Sequence, residues 1–201
     1  MNDYHRYVRE GKFEEMWQEC DDPWNADKEE YNLSFCSLAT ALLVEPNVLS
    51  FGSGTGRHME WLKSLHPHWM GSDIIGIELS KTAVAIAHQR YPWQGHCQED
   101  ILTYFQRTYD TGGRAGTYLF REVLWYILPD WAEIVRILKA KHKKSLVIVE
   151  LSFYDEQQYG LEYFNGPDDF IAKWPFSIEK IVREHSTKNQ REGRIMVAGR
   201  I

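Results

Sequence analysis

The sequence has few cysteines and no long hydrophobic run. Its three cysteines, Cys20, Cys36 and Cys97, lie far apart and are odd in number. This argues against a disulfide framework and favours a reducing compartment, the cytoplasm. No apolar stretch approaches the roughly 20 residues that a transmembrane helix needs, and residues 1–6 contain no apolar core of a signal peptide. We therefore expect a cytoplasmic protein with no membrane partner.

Positive charge is also scarce. The 23 Lys and Arg residues are outnumbered by 29 Asp and Glu residues, which gives a formal net charge of −6 at pH 7. Proteins bind nucleic acids largely by neutralising phosphates with Lys and Arg. The charge balance therefore argues against an RNA or DNA partner, although it does not exclude a substrate of nucleotide size.

The sequence does contain one strongly patterned stretch, from Asn47 to Glu78. An apolar run ends at Phe51, a glycine-rich turn follows, and a helical pattern leads to a second apolar run that ends in Glu78. This order is typical of a βαβ unit that holds a nucleoside. The glycines let the backbone turn sharply and approach a ligand, and the start of the helix offers unpaired N–H groups. The Glu78 carboxylate, at the end of the second strand, is suited to accept hydrogen bonds from both ribose hydroxyls.

The spacing of the glycines distinguishes between two kinds of nucleoside site. The dinucleotide fingerprint requires a third glycine at the position of Arg57. The sequence Gly52-Ser53-Gly54-Thr55-Gly56 instead resembles motif I of the class I S-adenosylmethionine (SAM) methyltransferases. Segments 75–80, 99–101 and 121–127 resemble further motifs of that family, so the resemblance extends across nearly the whole chain.

This resemblance implies a fold and a cofactor site. The expected fold is α/β: a Rossmann-like, seven-stranded, mostly parallel sheet with an antiparallel last strand, helices on both faces and an N-terminal helical lid. Within one domain, residues 1–44 form the cap, 45–152 the SAM-binding core, and 153–201 a substrate-side insertion with a C-terminal β-hairpin. The implied contacts with SAM, or with its product S-adenosylhomocysteine (SAH), come from Phe51, Gly52, Ser53, Gly54, Thr55, Gly56, Glu78, Leu79, Asp100, Ile101, Glu122 and Trp24.

The acceptor side of the site is predicted from segment 121–127 and from the lid. Glu122 is placed to hold or deprotonate an amine, Tyr126 to wall the pocket, and Tyr31 to close it, so these three are the candidate catalytic residues. The segment from Asp22 to Tyr31 resembles the nodulation-factor N-methyltransferases, which favours N-methylation over O-methylation of a small molecule by a monomer or homodimer. No motif for a catalytic metal is seen.

Two alternatives stay open from the sequence. The family usually has an acid two residues before the first glycine, and this chain has Ser50 there, which motivates a non-catalytic SAM- or nucleoside-binding protein. The aromatic segment 153–175 motivates methylation of a protein or peptide.

The periodicity of the chain also predicts where several elements begin and end. We expect helices from Tyr4 to Gln18 and from Ala26 to Leu43, the second with an apolar face that includes Tyr31, Phe35, Leu38 and Leu42. Asp130 and Glu133 resemble a capping box at the start of a later helix. Residues 101–104 are expected to continue beyond the third strand, and residues 176–185 and 193–199 to form a strand pair.

Overall fold

The computed structural model describes residues 5–24, 34–109, 115–153, 160–184 and 193–201. Its centre is one seven-stranded sheet with the strand order β3-β2-β1-β4-β5-β7-β6. The first five strands are parallel, and β7 runs antiparallel to both of its neighbours. The strands are β1 (Val48–Phe51), β2 (Ile74–Glu78), β3 (Gly95–Gln98), β4 (Thr117–Arg121), β5 (Leu146–Phe153), β6 (Ser177–Glu184) and β7 (Gly193–Arg200). The predicted sheet, with its one antiparallel strand, is confirmed.

Helices lie on both faces of the sheet. They are α1 (His5–Arg9), α2 (Phe13–Glu19), α3 (Phe35–Leu43), α4 (Arg57–Leu65), α5 (Lys81–Arg90), α6 (Ile101–Thr108), α7 (Leu128–Lys141) and α8 (Pro167–Ala172). Short 3-10 turns cover Gly71–Asp73 and Leu124–Tyr126. No helix in these described ranges is long and apolar enough to cross a membrane.

Alternation along the strands divides the apolar core between the two faces. Phe51, Phe120 and Val149 point towards α6 and α7, while Val48, Leu119 and Ile148 point towards α3 and α4. All eight residues of β5 are buried, as expected for a strand that is covered on both sides. The carboxyl ends of the parallel strands therefore meet along one edge, where ligands bind in folds of this kind.

Several predicted boundaries are wrong, for local reasons. The first helix is interrupted at Gly11, which has a positive φ of 67°, and α1 and α2 are separate elements. Asp100 accepts a hydrogen bond from the Thr103 N–H and so begins a helix at Ile101 instead of extending β3. Helix α7 begins at Leu128 without a side-chain cap, ahead of the predicted capping box.

Helix α3 differs most from its prediction. It begins at Phe35, after Ser34 accepts a hydrogen bond from the Ser37 N–H, so the helix does not run continuously from Ala26. Its predicted apolar face is exposed: the accessible fractions of Phe35 and Leu42 are 70% and 87%. The opposite face, with Ser37 and Thr40, is buried against the sheet.

Candidate active site

The glycine turn between β1 and α4 is held by the strand beside it. Gly52, Gly54 and Gly56 have φ values of 63°, 54° and 79°, which side chains other than glycine rarely tolerate. The N–H groups of Gly52 and Ser53 both donate to the carbonyl of Ile77, at 2.8 and 3.3 Å. The turn therefore folds back over the end of β2 and brings its backbone next to Glu78.

Glu78 links the turn to the next helix. One carboxylate oxygen accepts the N–H of Gly54 and the other accepts the N–H of Ser80, each at 2.9 Å. The residue is only 8% exposed. Burial raises the pKa of Glu78, although the N–H donors from Ser80, Gly54 and Leu79 lower it in part. A carboxylate has about four lone-pair positions, so these three N–H donors leave room for a further donor such as a sugar hydroxyl.

The N-terminal helices α1 and α2, called the lid below, lie over this turn. Trp17 of α2 is buried, and its ring lies 3.4 Å from the point where a Cβ on Gly54 would stand. It packs in one apolar cluster with Tyr7, Met16 and Ala83. The first predicted helix therefore lies over this edge as α1 and α2, whereas α3, the described part of the second predicted helix, packs on the sheet next to β6 and β7.

One carboxylate fastens the lid to α5. Glu14 accepts hydrogen bonds from Ser80 Oγ at 2.7 Å, from Thr82 Oγ1 at 2.6 Å and from the Thr82 N–H at 3.3 Å. Burial raises the pKa of Glu14, but the hydrogen bonds from Thr82 and Ser80 outweigh it and lower the pKa to about 2. The contact also places a negative charge at the N-terminus of α5, where the helix dipole favours it.

Two cavities flank the lid. The first, of about 300 Å³, lies between α2 and the ends of β2 and β3, and Leu79, Lys81 and Gln98 form its floor. The second, of about 330 Å³, lies between the lid and the turn after β4, with Trp125, Tyr126 and Tyr163 in its wall. Gly11 and Phe13 line both cavities, so the same short stretch of the lid separates them.

An aromatic cluster stands at this boundary. The ring of Tyr126 meets Phe13 edge-on with centroids 5.5 Å apart, and it stacks against Trp24 at 6.1 Å. Tyr126 thus lines the second cavity. Trp24 reaches the site through Tyr126 and also packs against the apolar cluster of the lid. Tyr31 lies outside the described residues.

Glu122 lies at the carboxyl end of β4 with a φ of 55°, an unusual backbone for a residue with a side chain. Its carboxylate accepts hydrogen bonds from the N–H and the hydroxyl of Ser152, and Arg194 Nε lies 3.1 Å from the same group. A base that takes a proton from an acceptor needs a free lone pair within reach. Because Ser152 of β5 and Arg194 of β7 hold the Glu122 carboxylate, and because Glu122 lines neither cavity, this geometry favours a structural carboxylate.

A buried polar network extends from Glu122 to α3. Arg194 donates to Ser34 Oγ at 3.1 Å. Glu150, fully buried, accepts from Ser37 Oγ at 3.1 Å and from Arg121 Nε at 3.2 Å. The network contains two arginines and two carboxylates. Ser34 and Ser37 form hydrogen bonds with these buried charges, which explains why the polar face of α3, rather than its apolar face, lies against the sheet.

The remaining predicted cofactor residues divide into three groups. Gly52, Ser53, Gly54, Thr55 and Gly56 form the turn itself, and Leu79 lines the first cavity. The side chains of Phe51 and Ile101 are buried in the core, so only their backbones face this edge of the sheet. Asp100 is partly accessible beside the end of β3, and one of its oxygens caps α6.

Some residues of the site were not expected from the sequence. They are Phe13, Glu14 and Trp17 of the lid, and Lys81 and Gln98 beside the first cavity. The helical pattern of the lid was visible, but nothing in the order of residues indicated which of its side chains would reach Ser80 and Thr82, nearly 70 positions later. Within the part of the chain that the structure describes, no group of three or more His, Cys, Asp or Glu side chains could hold a metal ion.

Comparison with solved structures identifies the fold. The N-methyltransferase NodS from Bradyrhizobium japonicum WM9, in complex with SAH, matches with a TM-score of 0.62 at 16% identity, over 90% of this chain and 92% of that one. The magnesium protoporphyrin IX methyltransferase ChlM from Synechocystis PCC 6803, with bound SAM, matches with a TM-score of 0.51 at 16% identity, over 80% and 72% of the two chains. The bifunctional kinase-methyltransferase WbdD matches at 0.57 and 19%, over 81% and 36%.

The sequence has the fold of the class I SAM-dependent methyltransferases. No protein-family model matches it, and no curated protein matches it either. The predicted resemblance is confirmed at the level of the fold, and the N-methyltransferase NodS is among the proteins that share it.

Proposed function

We propose that this protein is a SAM-dependent methyltransferase that acts on a small molecule in the cytoplasm. The observation that carries the proposal is the Glu78 carboxylate, which the N–H groups of Gly54 and Ser80 fix at the end of β2, next to Leu79 in the lining of the first cavity. A carboxylate in this position is suited to accept a hydrogen bond from a ribose hydroxyl. The neighbouring proteins NodS and ChlM, crystallised with SAH and SAM, support the choice of cofactor.

The residues around the first cavity fit an adenosine. Leu79 is about half exposed there and offers an apolar surface to a base. Gln98, at the end of β3, carries an amide that can both donate to and accept from the edge of a base. The cavity, at about 300 Å³, lies at the lower end of the range of ligand pockets.

The methionine end of the cofactor would then point towards the second cavity. Phe13, Trp24 and Tyr126 stand between the two cavities. Aromatic faces attract a cation, and the sulfonium of SAM is one. We assign Tyr126 to the wall of the acceptor pocket and propose that Trp24 and Tyr31 close it.

When bound, SAM supplies a methyl group that is already activated by the positive sulfur. The protein therefore has to hold the acceptor in line with the methyl group and to exclude water. Trp125, Tyr126 and Tyr163 provide an apolar wall for this purpose. Glu122 keeps the turn after β4 in place through Ser152 and Arg194, which makes it a positioning residue.

Nitrogen is the preferred acceptor atom, and oxygen the alternative. An amine needs only to arrive unprotonated, whereas a hydroxyl needs a nearby base. The predicted acceptor-side carboxylate, Glu122, is already bonded to Ser152 and Arg194, and the carboxylate that lines the second cavity, Glu162, is exposed to solvent. This arrangement, together with the resemblance to N-methyltransferases, favours amine methylation by a monomer or homodimer without nucleic acid or membrane partners.

Calorimetric titration with SAH tests the cofactor site. The wild-type protein should bind SAH, and Glu78→Ala should weaken binding by about 1.5–3 kcal/mol, the usual value of a hydrogen bond to a charged group. Glu99→Ala is the matched control, because Glu99 is a nearby acid that pairs with Arg107. Equal affinity of the wild type and Glu78→Ala would remove the basis of the proposal.

A screen of amines and alcohols for SAH formation from SAM tests the reaction. Amines should give turnover, and the initial rate should rise with pH until the amine is unprotonated. A parallel assay with tritium-labelled SAM and a lysate distinguishes the alternatives. Label in small molecules supports the proposal, label in protein bands indicates a protein methyltransferase, and SAH binding with no label indicates a non-catalytic binding protein.

A further inference from the structure

A chain of side-chain hydrogen bonds joins the glycine turn to β3. Gln94 precedes β3 and is buried, and its Nε2 donates to the carbonyl of Gly56 at 3.1 Å. His96 on β3 has Nε2 at 2.9 Å from Gln94 Oε1. Its other ring nitrogen, Nδ1, lies 3.5 Å from Ser53 Oγ, the outer limit of a hydrogen bond. The chain thus joins both ends of the segment 53–56 to one strand.

The chemistry of the partners fixes the direction of these bonds. A backbone carbonyl only accepts, so the amide nitrogen of Gln94 must face Gly56. The amide oxygen of Gln94 then faces His96 and can only accept, so the proton of the imidazole must be on Nε2. Nδ1 is left with a lone pair towards the hydroxyl of Ser53. Burial, and to a lesser extent the charge of His88, lowers the pKa of His96 to about 4, which keeps the ring neutral at pH 7.

Two glycines make room for this arrangement. A Cβ on Gly76 would stand 2.4 Å from Ser53 Oγ and 2.7 Å from His96 Nδ1. A Cβ on Gly56 would stand 2.2 Å from Gln94 Oε1. The His96 ring and the Gln94 amide therefore occupy space that would hold a side chain if positions 56 and 76 were not glycine. This close packing connects the turn to both β2 and β3.

The Gly56 carbonyl that Gln94 binds also takes part in the first hydrogen bond of α4. Gly56 is the residue before the helix, and its carbonyl accepts the first helical hydrogen bond, from the Glu60 N–H at 3.0 Å. Two residues earlier, the N–H of Gly54 donates to Glu78. Gln94 thus fixes the turn only two residues from the carboxylate of the proposed ribose site.

We propose that Gln94 and His96 are positioning residues for the cofactor site, which hold the glycine turn at the distance from Glu78 that nucleoside binding requires. The proposal rests on the proposed function. Neither side chain touches the first cavity, so they act on the cofactor through the backbone of the turn. Their loss leaves Glu78 in place but lets its partner, the turn, move.

The test measures SAH affinity by calorimetry in matched variants. Gln94→Leu and His96→Leu should weaken SAH binding by about 10- to 100-fold, the effect that loss of an outer-shell partner has at metal sites. His96→Gln, whose amide can place an N–H near the position of Nε2, should recover most of the affinity. His88→Leu, a change on the exposed neighbour of the ring, should leave it unchanged. Once an acceptor is found, its KM should change less than the KM for SAM.

A spectroscopic measurement tests the direction of the bonds independently of binding. A two-bond ¹H–¹⁵N spectrum of the wild type should show His96 protonated on Nε2 at pH 7, and the Nδ1 tautomer would overturn the proposal. Where the leucine variants do not fold, as judged by circular dichroism, His96→Gln and Gln94→Glu provide the comparison, and Gln94→Glu should still weaken binding because a carboxylate cannot donate to Gly56.

The outcomes separate this proposal from the function on which it rests. A wild-type protein that gives no heat with SAH overturns the methyltransferase proposal, and the positioning role falls with it. A wild type that binds SAH, together with folded variants of Gln94 and His96 that bind it equally well, overturns the positioning role alone.

Discussion

The hydrogen bonds between Glu14 and α5 allow an estimate of the free energy that is needed to open the lid. Its carboxylate accepts three hydrogen bonds from Ser80 and Thr82, and Glu14→Ala removes all three. A hydrogen bond to a charged group contributes about 1.5–3 kcal/mol, but the freed hydroxyls can turn to water, so the three do not add. We expect the free energy of lid opening to fall by about 2–3 kcal/mol in total. One hydrogen bond contributes its full value to this sum, and the other two contribute only a remainder.

Hydrogen exchange measured by mass spectrometry is the assay. A loss of 2–3 kcal/mol corresponds to exchange that is faster by about 30- to 150-fold in peptides from residues 5–24, with little change in peptides from β4 and β5. Glu15→Gln is the control, because it changes the charge of the same helix by the same amount. Unchanged protection of the lid in Glu14→Ala would refute the reasoning. The contact should also weaken as pH falls from about 4.5 towards 2, because the depressed pKa of Glu14 means that its stabilisation is present only while it is ionised.

Three further predictions concern stability. Arg194→Met leaves the partly buried Glu122 without its cation and should cost somewhat less in urea unfolding than the about 3–5 kcal/mol of a fully buried pair. Arg183→Met breaks an exposed pair and should cost less than about 1 kcal/mol. Gly52→Ala should cost about 1–3 kcal/mol, because its Cβ would stand 2.5 Å from Val123. Burial, with the charges of Arg121 and Arg194, holds the pKa of His58 well below 6.5. Stability should therefore fall by up to about 1.4 kcal/mol per pH unit below 6.5, and His58→Gln should reduce that slope in thermal melts.

The centre of the site was predictable because its signals are local. Glycine spacing, an apolar strand on either side and an acid at the end of β2 all lie within residues 47–78. Ser80 is equally local, because it caps α5 by accepting a hydrogen bond from the Ala83 N–H, three residues later, at 3.1 Å. Each of these features follows from backbone requirements that a few neighbouring residues satisfy.

The lid and α3 were less predictable because their contacts are distant in sequence. The apolar face of α3 satisfies the helical period, yet the helix turns its serines inwards, since Glu150 and Arg194 need hydrogen-bond partners there. A hydrophobic pattern carries no information about a buried ion pair more than 100 residues away. The role of Glu122 was open for the same reason, because its partners are at 152 and 194.

The spacing of the three glycines follows from what approaches each of them. Val123 fills the space beside Gly52, the ring of Trp17 lies over Gly54, and Gln94 fills the space beside Gly56. These neighbours come from the turn after β4, the lid and the approach to β3, so one short turn meets three separate parts of the chain at alternate residues. All three glycines have a positive φ, so this segment is a turn and its residues face different neighbours, while the N–H of the central glycine is left for Glu78. Contacts within the protein therefore fix the conformation of the turn without a ligand. Such preorganisation reduces the free-energy cost of ordering a site when a ligand binds.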